Sequence, residues 1–198
     1  MKKTILYLKS VKLLEDKFCL KKDLKIDFQP VTLLVGEQGC GKSTLLSLLQ
    51  QNSEIIEVDI SDFVKITGVD TFYFDAEKMN PRTTDLQMFS NPDGTSRGIG
   101  MGAAMQSHFM SHGEVLKEYT VNRIKDAKNC VLFLDEPESA LSLRNQFKLA
   151  KEIKNATNNG VQLIVATHCL PIIEHFDKVY SLEHLKWMSS EEFINKNK

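Results

Sequence analysis

The sequence predicts a single α/β domain built on a mostly parallel sheet with helices on both faces. Three observations carry this. Segments of strand character alternate with segments of helix character along the 198 residues. The runs 31–35 and 131–134 are almost wholly apolar, as strands buried on both faces are. Glycines bunch between the first of these runs and a leucine-rich helix. At 22.5 kDa the chain is long enough for one full core and a small subdomain, burying about 70% of its surface on folding.

The elements follow in order. Thr4 to Lys9 reads as a strand, Leu24 to Phe28 as a second and Val31 to Val35 as a third, with Pro30 at the turn. Ser43 to Gln50 is a helix with Leu45, Leu46, Leu48 and Leu49 on its apolar face. Ile55 to Ile66 carries a strand. Thr71 to Phe74 is another, leading into the polar stretch Asp75 to Thr84. From Met88 to Gly113, glycines sit among Ser and Met with almost no β-branched residues, the composition of a connection with at most one short helix. Glu114 to Lys128 is helical, Val131 to Leu134 is a buried strand, and Ser142 to Asn158 is an amphipathic helix stopped by Asn159-Gly160. Val161 to Ala166 and Lys178 to Leu182 add two core strands. Ser189 with Glu192 forms a capping box for a last short helix.

Charge and cysteine usage bound the function. With 25 basic and 26 acidic residues the net charge is −1, so no global field draws the protein onto nucleic acid or anionic lipid. DNA contact would need a local basic patch, which composition does not show. The apolar run Ile5 to Leu8 is too short for a signal peptide, and no stretch approaches the roughly 18 apolar residues that span a bilayer. Cys19, Cys40, Cys130 and Cys169 are scattered, without a C-x-x-C pair. They read as reduced thiols of a cytoplasmic protein with no membrane insertion.

Residues 36–43 read Gly-Glu-Gln-Gly-Cys-Gly-Lys-Ser, which fits G-x-x-x-x-G-K-[ST] between a strand and a helix, where the phosphate-binding mechanism needs it. The N–H groups of Gly36, Glu37, Gln38, Gly39, Cys40, Gly41, Lys42, Ser43 and Thr44 belong to that loop and the helix start. There they can converge on one anion. Lys42 can reach the β- and γ-phosphates, and the Ser43 hydroxyl is placed for Mg²⁺. Asp135 closes a buried strand and is the natural partner of that metal, with Glu136 next in line as general base for a water. Glu138 reads as a solvated acid on a surface turn. His168, after the strand ending at Ala166, emerges at the same sheet edge, within reach of the γ-phosphate or the water.

Taken together, residues 36–43, Leu134-Asp135-Glu136-Pro137 and Ala166-Thr167-His168 resemble the ATPase domain of the ABC class, a P-loop NTPase. The closest resemblance is to the soluble branch of SMC-like and OLD-like ATPases of bacteria and phages, where the segment after Asp-Glu-Pro commonly reads close to Glu-Ser-Ala-Leu-Ser, as residues 138–142 do. The resemblance implies one ABC-type domain over residues 1–198, its core sheet mostly parallel with N-terminal antiparallel strands and a helical signature subdomain inserted at about 75–128. It implies ATP and Mg²⁺ as ligands and ATP hydrolysis as the activity. It also implies an ATP-dependent homodimer, in which Ser111, His112, Gly113 and Glu114 of one copy cap the γ-phosphate held by the other, and a protein partner to receive the output. The signature departs from the Leu-Ser-Gly-Gly-Gln of transporters, and no glutamine follows Phe74. Asp75 or Glu77 stands where that glutamine would reach the metal, and Phe18 is the candidate for stacking on adenine. Both departures weigh against the motor subunit of a membrane transporter. A nucleotide-gated adaptor, with the 88–110 segment as its contact surface, is the third class of output.

Overall fold

The computed structural model describes residues 6–61, 69–75, 120–139 and 141–197. A three-stranded antiparallel sheet, ordered β2-β1-β4, is formed by β1 (Leu8–Leu13), β2 (Lys25–Asp27) and β4 (Ile56–Ile60). A six-stranded sheet, ordered β5-β6-β7-β3-β8-β9, contains β3 (Val31–Val35), β5 (Asp70–Asp75), β6 (Cys130–Asp135), β7 (Gln162–Ala166), β8 (Lys178–Ser181) and β9 (Lys186–Ser189). From β5 to β8 every pairing is parallel, and only β9 runs antiparallel, on β8. The C-terminal ends of five parallel strands therefore share one edge, the side on which open α/β sheets bind ligands.

Alternation along the central strands divides their side chains between two cores. Leu33, Val35, Leu132, Leu134, Leu163 and Val165 face one side, where Leu149, Ala150 and Ile153 of α2 (Leu143–Ala156) cover them, together with Ile172 and Ile173 of α3 (Leu170–Ile173). Leu34, Val131, Phe133 and Ile164 face the other. There they meet Leu45, Leu46, Leu48 and Leu49 of α1 (Lys42–Gln51) and the inward residues of the small sheet. Truncating a fully buried leucine such as Leu46 to alanine in either core costs about 2–5 kcal/mol. Gln162 stitches the two sheets together. Its buried amide accepts from the N–H groups of Tyr7 (2.9 Å) and Leu8 (2.8 Å) and donates to the Leu8 carbonyl (2.8 Å).

Several expectations are corrected. The first strand runs over Leu8–Leu13, later than the expected 4–9, because Leu8, Val11 and Leu13 supply the inward positions that pair with β2 and β4. The helix expected over 142–158 ends at Ala156, and a 3₁₀ turn, Thr157–Asn159, leads to Gly160. Two elements were not anticipated: α3, a single turn, and β9, which hairpins back onto β8. At the last helix, α4 (Ser190–Lys196), the Ser189 hydroxyl accepts from the Glu192 N–H at 3.0 Å as a cap should, but the Glu192 carboxylate pairs with Lys186 and Lys196 instead of closing the box. The helix expected over 114–128 is seen as helical residues 120–126. Residues 76–119 of the expected 75–128 subdomain, with Ser111, His112, Gly113, Glu114, Glu77 and the 88–110 segment, lie outside the described residues.

Candidate functional site

The loop leaving β3 bends sharply into α1. Gly41 has φ +103°, and a Cβ there would lie 2.6 Å from Leu20 Cδ2, so the loop is packed against the β1–β2 connection in a conformation only glycine accepts readily. No acidic residue occupies the first turn of α1, which leaves the positive end of its dipole uncompensated and facing a cavity of about 490 Å³. Gly39, Gly41, Lys42, Ser43, Asp135 and Glu136 line that cavity. Lys42 is buried, and its Nζ donates to the carbonyls of Gly36 and Glu37, each at 2.9 Å. Behind the loop the Glu37 N–H donates to Glu183, which follows β8.

The carboxylates come from the neighbouring strand ends. Asp135 is buried at the end of β6 and accepts two hydrogen bonds. Ser43 Oγ donates to its Oδ1 and the Tyr73 hydroxyl to its Oδ2, both at 2.9 Å. Burial pushes the Asp135 carboxyl above its ordinary range, against the pull of these two donors. Burial, then the Asp135 charge, pushes the Tyr73 phenol upward, so it stays a proton donor at neutral pH. Asp75, also buried, pairs in register with Asp135 across β5 and β6 and lines the same cavity.

Glu136 sits one residue past β6 with φ +45°, its N–H donating to the Ala166 carbonyl at 3.0 Å. This strained turn aims the side chain at the end of β7, where Glu136 Oε1 lies 3.3 Å from His168 Nδ1. The His168 side chain is 63% exposed and that of Glu136 28%, so the pair lies at the rim, open to water. Glu138 is not a solvated acid. It is 4% exposed, and its Oε1 accepts from the Thr167 hydroxyl (2.6 Å) and the His168 N–H (3.2 Å), an anchorage that turns it inward. Its Oε2 is buried with no hydrogen-bond partner among the described residues, and burial pushes its carboxyl upward. Phe18, 81% exposed at φ +54°, stands at the mouth of the cavity with Lys17 Nζ 5.2 Å over its ring.

Residues 32–179 match the family described as ATPase family associated with various cellular activities (AAA). The chain belongs to that family. The chain is 25% identical over 189 residues to ABC transporter G family member 15 of Dictyostelium discoideum, a match covering 77% of this chain and 13% of that protein. It is 26% identical over 200 residues to a protein named as an ABC transporter ATP-binding protein in Caldanaerobacter subterraneus subsp. tengcongensis, covering 83% of this chain and 82% of the other. The fold superposes, at a TM-score of 0.56 and 17% identity, on a dimeric ATP-binding cassette in a post-hydrolysis state bound to ADP and Pi, covering 93% of this chain and 98% of that one. The AAA-family fold here is thus a P-loop NTPase of the ABC-ATPase type. Among the described residues no helix is long and apolar enough to cross a membrane.

Lys42, Ser43, Asp135, Glu136 and His168, which the motifs single out, meet at one sheet edge. Tyr73 and Glu183 join them from outside those motifs, and Glu138, expected at the surface, is buried. Strand parity holds the signal for Tyr73: it pairs with Phe133, two residues before Asp135, and so shares the face of Asp135.

Proposed function

We propose that this protein binds and hydrolyses ATP, and that two copies close around two ATP molecules to form a nucleotide-dependent switch. The observation that carries this is the convergence, on one cavity, of Lys42, the Ser43–Asp135 hydrogen bond and the Glu136–His168 pair. Lys42 exchanges its two loop carbonyls for the β- and γ-phosphates, while the loop N–H groups and the α1 dipole hold the same anion. The hydroxyl and carboxylate oxygens of Ser43, Asp135 and Asp75 are hard donors that suit Mg²⁺. Bound there, Mg²⁺ would neutralise charge on the β- and γ-oxygens. Of the two acids proposed to replace the glutamine, Asp75 lines the cavity, and Glu77 lies outside the described residues.

Glu136 takes the proton of the attacking water, and His168 holds its carboxylate in place. The γ-phosphoryl passes to that water, giving ADP and phosphate. Phe18 offers its exposed ring to adenine. Ser111 to Glu114 of the second copy cap the γ-phosphate, and loss of the γ-charge opens the dimer. The dimeric cassette found with ADP and Pi supports this reading.

The recipient of the switch has two readings. Relatives named as ABC transporters favour a motor subunit for a membrane partner. The absence of a glutamine after Phe74 and the Ser-His-Gly-Glu segment weigh against that motor, and Glu-Ser-Ala-Leu-Ser at residues 138–142 supports the SMC-like or OLD-like branch, with a cytoplasmic partner in repair or phage defence, DNA among the candidates. Co-purification with a membrane protein selects the first, and ATPase stimulation by DNA that fades with salt the second. Glu136→Gln tests the shared core: it is expected to cut turnover about 10²–10⁴-fold and to trap an ATP-bound dimer in size-exclusion chromatography. A monomeric Glu136→Gln protein with parental turnover overturns the mechanism.

A further inference from the structure

Asp135 is held at both oxygens, and only one donor belongs to the phosphate-loop helix. Ser43 Oγ occupies Oδ1, and the Tyr73 hydroxyl, from the adjacent strand β5, occupies Oδ2. An aspartate carboxylate turns easily about its last torsion, which has a broad two-fold preference. Two donors from separate elements remove that freedom. The consequence falls on Ser43. A serine hydroxyl has one proton and two lone pairs. With its proton committed to Asp135, its lone pairs are left to face the cavity, and donation to a carboxylate makes the oxygen a stronger ligand. The Tyr73 ring is half-buried against the α1 side of the sheet, so its hydroxyl arrives from a fixed body.

We propose that Tyr73 is a positioning residue for the cation half of the site: its hydroxyl pins Asp135 so that Ser43 presents its oxygen to a divalent cation. This rests on the ATP–Mg²⁺ reading above and assigns the residue on which Mg²⁺ affinity depends. Tyr73 acts through Asp135 and is not among the residues that line the cavity, so nucleotide binding without metal does not need it.

The experiment titrates a fluorescent, non-hydrolysable ATP analogue in EDTA, then titrates Mg²⁺ into the complex, for the parent and for Tyr73→Phe. The metal-free affinity is expected to match the parent and the melting temperature to fall only by the few degrees that one lost bond to a buried carboxylate costs, while the Mg²⁺ concentration at half-effect rises about tenfold, the scale of a lost supporting bond to a metal ligand. In an Asp135→Ala background, which leaves the Tyr73 hydroxyl no carboxylate or amide oxygen to bond, Tyr73→Phe is expected to add nothing, since the two act through one bond. Tyr73→Met, which fills the slot without a hydroxyl, gives the same Mg²⁺ shift and serves if the phenylalanine variant is unstable. An unchanged Mg²⁺ midpoint, an additive effect on Asp135→Ala, or a metal-free affinity that falls with the loss of the hydroxyl overturns the proposal alone. A parent that binds no analogue, with or without Mg²⁺, overturns the ATP reading and this proposal with it.

Discussion

The phosphate loop and the acidic turn leave the same edge of the same sheet, yet they are built in opposite ways. In the loop, Lys42 bonds to Gly36 and Glu37, six and five residues away, and the glycine conformation at Gly41 joins strand to helix directly. The turn after β6 draws its partners from afar: Ser43 and Tyr73 reach Asp135 across 92 and 62 residues, and Thr167 and His168 reach Glu138 across 29 and 30. One region is nearly self-contained, whereas the other exists only because three strands lie side by side. A self-contained loop can pre-form an anion site from its own backbone. Carboxylates need neighbours to fix their direction and to offset the cost of their burial.

That contrast sets the expected outcomes. Lys42→Ala strikes the local region and is expected to weaken ATP binding by about 100-fold or more, a loss near 2.7 kcal/mol. Equilibrium binding with a fluorescent nucleotide measures it, and near-parental affinity would break the assignment of the loop. His168→Ala strikes the assembled region. Turnover is expected to fall about 10–100-fold as Glu136 loses its partner, with ATP affinity unchanged. Steady-state rates set beside binding curves separate the two. A fall in affinity alone would return His168 to the phosphate and not to Glu136.

The smallest effect sharpens the account of Glu138. Its folded carboxyl is raised by burial, so its contribution to stability is complete below the unfolded value of about 4.3 and is lost as pH rises through the raised folded value. Glu138→Gln keeps an acceptor for Thr167 and His168 without a charge. The variant should match the parent near pH 4 and melt about 2–4 °C above it at pH 8. Asp135, shifted in the same direction by burial, is common to both proteins and cancels. A constant difference across pH would mean that the Glu138 charge costs nothing in its buried place.

What could be read ahead of the structure follows the same division. Val31–Val35 and the parallel strands ending at Asp135 and Ala166 were legible because an apolar run bounded by turn residues leaves few alternatives. Leu8–Leu13 was misplaced because Lys9, Ser10 and Lys12 interrupt its inward residues, and only pairing with β2 and β4 selects the register. Lys186–Ser189 went unread because four residues carry too little pattern without β8 beside them. Glu138 was misread because an acid beside proline looks like a surface turn until Thr167 closes over it.

The amino-acid order alone determined the phosphate loop, the strand–loop–helix around it and the carboxylate at a strand end. These are local: backbone conformation and nearby side chains decide them within a few residues. Only the tertiary structure decided which oxygen of Asp135 faces Ser43, that Tyr73 holds the other, and that Glu138 turns inward while Glu136 turns to His168. Those choices depend on strand order and register, which bring residues far apart in the chain within hydrogen-bond reach, where a shift of one residue would turn each side chain to the opposite face.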